Sequence, residues 1–218
     1  MTPRESEPEL ILASASPRRR ELLRRLGVDF TVVPSDVDEW APGRHPRAER
    51  LARHLAREKA LAVAASHPDA VVLAADTIVV QQSRLLAKPA DAREAREMLG
   101  RLRGRDHRVI TGVAVARGRQ VRVAHAVTHV RMREYGHDEI ERYIARGGPF
   151  DKAGGYAIQD PAFAPVDRYT GCYCNVVGLP LGAVIPLLVS TGVETPVTEP
   201  ARLTPECPFC PLFASPTP

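Results

Sequence analysis

The chain has 218 residues, 44% of them hydrophobic and 26% charged, the balance of a globular protein that buries a core of its own. Its longest apolar stretch, Val176 to Val189, is cut by Gly178, Pro180, Gly182 and Pro186; it falls short of the roughly 20 residues of a membrane span. With Glu5, Glu7 and Glu9 ahead of any apolar run, no secretory leader is read, so a soluble, cytoplasmic protein is expected. The net charge of +4 favours an anionic ligand without choosing between nucleotide, nucleic acid and membrane surface.

Taken in order, Leu10 to Ala13 is a short buried strand. Ser16 is a good N-cap and Pro17 suits the first helical position; Leu22, Leu23 and Leu26 make one face, and Gly27 closes the helix. Phe30 to Val33 reads as a second strand, followed by the acidic loop Asp36-Val37-Asp38-Glu39. From Arg47 to Ala65 the pattern is helical, with Leu51, Leu55 and Ala62 on one face, the face that also carries Lys59. Val71 to Ala75 is a continuous apolar strand ending at Asp76-Thr77, and Ile78 to Val80 continues it or opens a hairpin. Lys88-Pro89 is a loop; Asp91 then caps a helix with Glu94 in the capping-box position.

Val109 to Ala116 and Val121 to Val130 form a hairpin. A short helix covers Asp138 to Ala145, and a glycine-rich loop runs from Asp151 to Gly155. Cys172 to Val177 reads as a strand and Leu181 to Val189 as a helix. The order implies an α/β fold, a mixed sheet flanked by helices in one domain over residues 9–192. The seven prolines of residues 193–218 predict a disordered tail.

Three features point to chemistry. Arg18, Arg19 and Arg20 occupy a first helical turn, where the helix dipole disfavours cations by about 0.3–1 kcal/mol each. A bound anion reverses that cost, and the hydroxyls of Ser14 and Ser16, free backbone N–H groups and guanidinium forks together suit a chain of phosphates; a solvated basic helix end is the plainer reading. Asp76 directly follows five apolar residues, which is costly unless it has a partner or a task, such as holding Mg²⁺ or orienting a water; otherwise it caps a turn. Of the 30 basic residues only Lys59, Lys88 and Lys152 are lysines, and each falls at a loop or inward-facing position. In the acidic loop, Asp38 and its neighbours could recruit Mg²⁺ or simply be solvated. Cys172, Cys174, Cys207 and Cys210 number four, as a zinc site needs, but their placement on a strand and in the tail favours a redox or incidental pair.

Read together, Leu12-Ala13-Ser14-Ala15-Ser16-Pro17-Arg18-Arg19, the helix around Lys59, Ala75-Asp76-Thr77, Lys88-Pro89, the run Asp151 to Gln159 and Asn175-Val176-Val177-Gly178-Leu179-Pro180 resemble the Maf family of nucleoside triphosphate pyrophosphatases. The resemblance implies a strongly curved mixed sheet in two lobes around a central cleft, and a homodimer without membrane or nucleic-acid partners. It also implies hydrolysis of a nucleoside triphosphate to the monophosphate and pyrophosphate with a divalent cation, Mg²⁺ or Mn²⁺. By motif, Asp76 looks like the proton acceptor; Arg18, Thr77 and Gln159 like substrate-selecting positions; and Ser14, Ser16, Arg19, Lys59, Lys88 and Lys152 like phosphate or substrate ligands. Asp76 and Asp38 look like metal ligands, Asp38 standing where the family usually has Glu, a longer side chain whose reach a bridging water would restore. The Asp151 to Gln159 run is similar to the subgroup acting on dTTP and UTP, although Gly155 and Asp160 replace its usual Ala and Gly. Gln159 offers a donor and an acceptor to the imide edge of uracil or thymine, or of a modified pyrimidine. The rival readings are a 7-methyl-GTP pyrophosphatase of the sister subgroup and a non-catalytic nucleic-acid-binding or division-regulating protein.

Overall fold

The computed structural model describes residues 8–37 and 47–197. Strand β1 (Leu10–Leu12) is wholly buried and leads into helix α1 (Pro17–Arg24), whose N-cap Ser16 accepts from the Arg19 N–H. After β2 (Thr31–Val32) comes the 17-residue α2 (Ala48–Ala64), then β3 (Val71–Gln81), β4 (Arg84–Leu86) and α3 (Ala92–Leu102), capped by Asp91. The hairpin β5 (Asp106–Arg117) and β6 (Gln120–Met132) precedes α4 (His137–Ala145), β7 (Val166–Thr170), α5 (Tyr173–Val177) and α6 (Leu181–Val189).

The sheet runs β2-β1-β3-β5-β6-β7, parallel at β2-β1-β3 and antiparallel beyond. One edge of β3 is continuously paired, Val71 to Val80 lying opposite Arg117 to Arg108 of β5. The other edge changes partner. β1 pairs with Val71 to Leu73, β4 pairs with Val79 to Gln81, and residues 74–78 between them have neither. A crevice must open where two neighbours of one strand part in this way, which is where α/β sheets bind ligands.

Packing divides at the same place. On one face α2 lies along the sheet, burying Ala56, Ala60 and Val63 against Val72 and Ala74, and further along Ala48, Ala52 and Leu55 with Ile78 and Val80. On the opposite face there are two separate apolar clusters. One joins α1 and α6 to Val71, Leu73 and Ala75; the other joins α3 and α4 to Val79 and Val109. Thr77 falls between them. These are the two lobes, and β3 crosses from one to the other.

Of the two readings open at Ile78 to Val80, the strand continues: β3 runs unbroken for 11 residues, because its ladder to β5 continues through the polar pair, so Asp76 lies within the strand and not at its end. Two expectations need correction. Cys172 to Val177 is not a strand but the short helix α5, closed by Gly178 at a left-handed φ of 119°. Val193 and Thr195, expected in a disordered tail, are buried, Val193 within the α1–α6 cluster. Asp38, Cys207, Cys210 and the tail from residue 198 lie outside the described residues. Cys172 and Cys174 are buried core side chains.

Candidate active site

The cleft occupies the crevice beside residues 74–78. It is lined from α1 by Arg18 and Arg19, from α2 by Lys59, from β3 by Asp76 and Thr77, and from the loops by Lys88, Asp151, Lys152 and Gln159. Its space, about 1080 Å³ out to the open mouth, admits a nucleotide.

Asp76 is 8% exposed and Lys59 7%, and Lys59 Nζ donates to Asp76 Oδ1 at 2.5 Å. A lone carboxylate in so dry a place is untenable; paired, it is retained. The pairing follows from α2 lying close over β3 and β5. Gly112, opposite Asp76 in the ladder, permits that approach: a Cβ there would stand 2.2 Å from the Ala52 carbonyl oxygen. Lys59 Nζ holds Oδ1, so Oδ2 is the oxygen left for a water or a cation.

Arg19 does not project freely into the cleft. Its guanidinium donates to Gly178 O at 2.9 Å, Ser14 Oγ at 3.1 Å and Thr77 Oγ1 at 3.1 Å. It therefore ties the β1–α1 turn to β3 and to the end of α5. Ser14 Oγ also accepts from the Ser16 N–H, so this hydroxyl serves the turn. Behind Thr77 lies a buried polar chain. Thr77 Oγ1 is 3.0 Å from Thr111 Oγ1, and Thr111 Oγ1 donates to Asn175 O at 2.9 Å. The Asn175 carboxamide accepts from Thr111 N–H and donates to Val109 O and Thr128 Oγ1. Asn175 is fully buried, and with each polar group matched it fixes α5 against β5 and β6.

The loop after α4 supplies the third wall. Arg18 donates to Asp151 Oδ2 at 2.7 Å and to Asp151 O at 3.2 Å; Lys152 also pairs with the Asp151 carboxylate and donates to Gly148 O at 2.7 Å. Partial burial opposes the charge on Asp151, but hydrogen bonds from Lys152 and Arg18 outweigh it and hold the carboxyl below its usual range. Gly154 N–H donates to Ala87 O beside Lys88. Tyr156 is anchored by His107 of β5 at 2.7 Å. Burial pushes the His107 imidazole down to about 4 and the Tyr156 phenol up. Gln159 is exposed, as is Lys88.

Residues 9–191 match the model of the Maf family, described as "Maf-like protein". The chain belongs to the Maf family. Among similar Maf relatives, a protein of Thermomicrobium roseum named dTTP/UTP pyrophosphatase is 56% identical over 203 residues, 93% of each chain. Proteins of the same name from Symbiobacterium thermophilum and Pelotomaculum thermopropionicum are 50% and 48% identical, covering 84% of this chain and 94% and 97% of theirs.

Of the Maf positions picked out in the sequence, Arg18, Arg19, Lys59, Asp76, Thr77, Lys88, Lys152, Gln159 and Ser16 line this one cleft. Ser14 lines its continuation over α1. The sequence reading gave no role to Asp151, Thr111, Asn175 or Gly112. A signal existed for Asn175 and Thr111, polar residues within apolar stretches; Gly112 and Asp151 carried none that distinguishes them from an ordinary strand glycine and a loop acid. As to a metal, no group of three or more His, Cys, Asp or Glu gathers among the described residues. Asp76 alone still fits Mg²⁺, which is held by one or two carboxylates with substrate phosphates and waters completing its shell.

Proposed function

We propose that this protein hydrolyses pyrimidine nucleoside triphosphates, dTTP and UTP foremost and modified pyrimidine nucleotides with them, to the monophosphate and pyrophosphate. The observation that carries the reading is the buried Lys59–Asp76 pair, set in a gap of the sheet and faced across one cleft by Arg18, Lys88 and Lys152. The names of the relatives give the substrate class.

In this reading Asp76 orients a water against the α phosphorus and takes its proton as the P–O bond to the β phosphate breaks. Lys88 and Lys152 gather the charge that the departing pyrophosphate acquires. Lys59 keeps the carboxylate in place, and Arg19 fixes the turn that carries Arg18. Arg18, Thr77 and Gln159 meet the nucleoside and select it. Asp76 would hold a divalent cation, Mg²⁺ or Mn²⁺, with Asp38 as a second donor; bound there, the cation would neutralise phosphate charge and polarise the reacting phosphoryl group. The protein acts as a homodimer in the cytoplasm. No helix among the described residues is long and apolar enough to cross a membrane.

Pyrophosphate release from dTTP, UTP, CTP and 7-methyl-GTP, with Mg²⁺, with Mn²⁺ and with a chelator, tests this. Turnover of dTTP and UTP that the chelator abolishes is expected. Preference for 7-methyl-GTP would move the protein to the sister subgroup, and salt-sensitive DNA binding without hydrolysis of any triphosphate would replace the reading altogether.

A further inference from the structure

Donor bookkeeping along the Thr77–Thr111–Asn175 chain decides the direction of every proton in it. The backbone oxygen of Asn175 can only accept, so the single Thr111 hydroxyl proton, 2.9 Å away, goes there. Thr111 Oγ1 then has only lone pairs for Thr77 Oγ1, which stands directly opposite across the β3–β5 ladder at 3.0 Å. The Thr77 proton is therefore directed inward. Arg19 Nη2 donates to one lone pair of Thr77 Oγ1, and what the hydroxyl keeps for the cleft is its second lone pair and no proton. Thr111 and Asn175 are both fully buried, so solvent does not compete for their hydrogen bonds, and Thr77, part-buried, is where the chain meets the cleft.

We infer that Thr111 and Asn175 are positioning residues that lock Thr77 as a pure acceptor, and that this makes the site select bases carrying a ring N–H over bases whose corresponding ring nitrogen is itself an acceptor. The inference rests on the pyrophosphatase reading above and deepens it. Uracil and thymine present an N3–H, for which an acceptor is the complement. Cytosine presents a lone pair at N3, which would face a second lone pair with neither side holding a proton. A buried polar group denied its partner costs more than a missing favourable contact gains, which is why hydrogen-bonding sites discriminate well.

The test compares kcat/KM for UTP, CTP and 3-methyl-UTP in the wild-type protein and in Thr111→Val and Thr111→Ser. In the wild type, UTP should exceed both others by about tenfold or more, the ratio that one hydrogen bond of about 1.4 kcal/mol supplies. Thr111→Val frees the Thr77 proton to turn outward. CTP should then improve while UTP declines, both through KM, and the UTP:CTP ratio should fall towards one. Thr111→Ser, which keeps the hydroxyl, should keep the wild-type ratio. Structural damage alone would slow both nucleotides together, so changes in opposite directions are diagnostic. The proposal is overturned by a folded Thr111→Val with the wild-type ratio, or by wild-type protein that turns over 3-methyl-UTP as well as UTP. The second comparison holds even if Thr111→Val does not fold. Wild-type protein that releases pyrophosphate from no triphosphate would instead overturn the underlying reading, and this proposal with it.

Discussion

At the scale of single residues the decisive pair is Asp76 and Lys59, because both are almost fully buried and each justifies the other. Asp76→Asn keeps the shape and a hydrogen-bonding head but cannot take a proton from water. Its kcat should fall by about 10² to 10⁴-fold, the range for loss of a general base, with KM changed little; a variant retaining wild-type pyrophosphate release would remove Asp76 from the chemistry. The stability consequences run the other way round. Lys59→Met leaves a buried carboxylate without its partner, a change of about 3–5 kcal/mol in systems of this kind. Urea unfolding should show that loss, and Lys59→Met combined with Asp76→Leu should recover most of it, since two apolar side chains have no charge to satisfy. A single variant as stable as wild type would mean that Asp76 is solvated by some other route.

Elements set the distances between such residues, and here a side chain that is not there matters most. Gly112 lets the backbone of α2 come down onto β5, and an added methyl would meet the Ala52 carbonyl group, which cannot rotate aside. Gly112→Ala should therefore cost about 1–3 kcal/mol, as overpacking does. It should also reduce turnover, because the helix that shifts is the one carrying Lys59; thermal unfolding and pyrophosphate release measured together check both effects. The β5–loop contact adds a pH signature. His107, driven down to about 4 by burial from an ordinary 6.5, with only weak opposition from Asp106, binds its proton less readily folded than unfolded. Between those two values the unfolded chain holds more protons, so stability falls as pH drops from about 6.5 to about 4, and this group adds no slope above 6.5. The shift corresponds to about 3 kcal/mol. Unfolding of His107→Gln across that window should lack this part of the slope, and a variant that tracks the wild type would show that His107 does not carry it.

The same elements show what could be read from the sequence. α2, α3, α4 and the β5–β6 hairpin have clear periodicity or alternation, and Lys59 is placed correctly because one helical face suffices to locate it. β3 looks interrupted at Asp76-Thr77 because polarity in a sequence does not say which edge of a strand loses its neighbour. Here the β5 edge is continuous and the other one opens. α5 reads as a strand since Tyr, Val and Cys favour extended chain. Tertiary bonds override that preference: Thr128 Oγ1 accepts from the Cys172 N–H and donates to the Cys172 carbonyl oxygen, and the Asn175 carboxamide bridges Thr111 and Val109. The site motifs were legible as a set, whereas Gly112 and Asp151 were not, because their roles consist of contacts with residues 60 and 133 positions away, Ala52 and Arg18.

Across the whole molecule the site is a seam between two lobes, with cations contributed from both sides. Arg18 stands on α1 and Lys152 on the loop after α4, and both are engaged with the carboxylate of Asp151. A triphosphate entering the cleft competes with Asp151 for the same two side chains, so binding exchanges one set of exposed ion pairs for another. Such an exchange is screened by salt. The Debye length contracts from about 10 Å at about 0.1 M salt to about 3 Å at about 1 M, and Asp151 and Lys88 are both exposed. The Lys59–Asp76 pair is buried and little affected over the same range. KM for UTP should therefore rise several-fold between these salt concentrations while kcat stays within about twofold, measured at constant Mg²⁺. Asp151→Asn, which removes the internal competitor, should lower KM at low salt and leave a steeper dependence on salt. If kcat collapsed with salt while KM held, the charges that matter would be those of the chemical step, and the seam would not be where the phosphates are gripped.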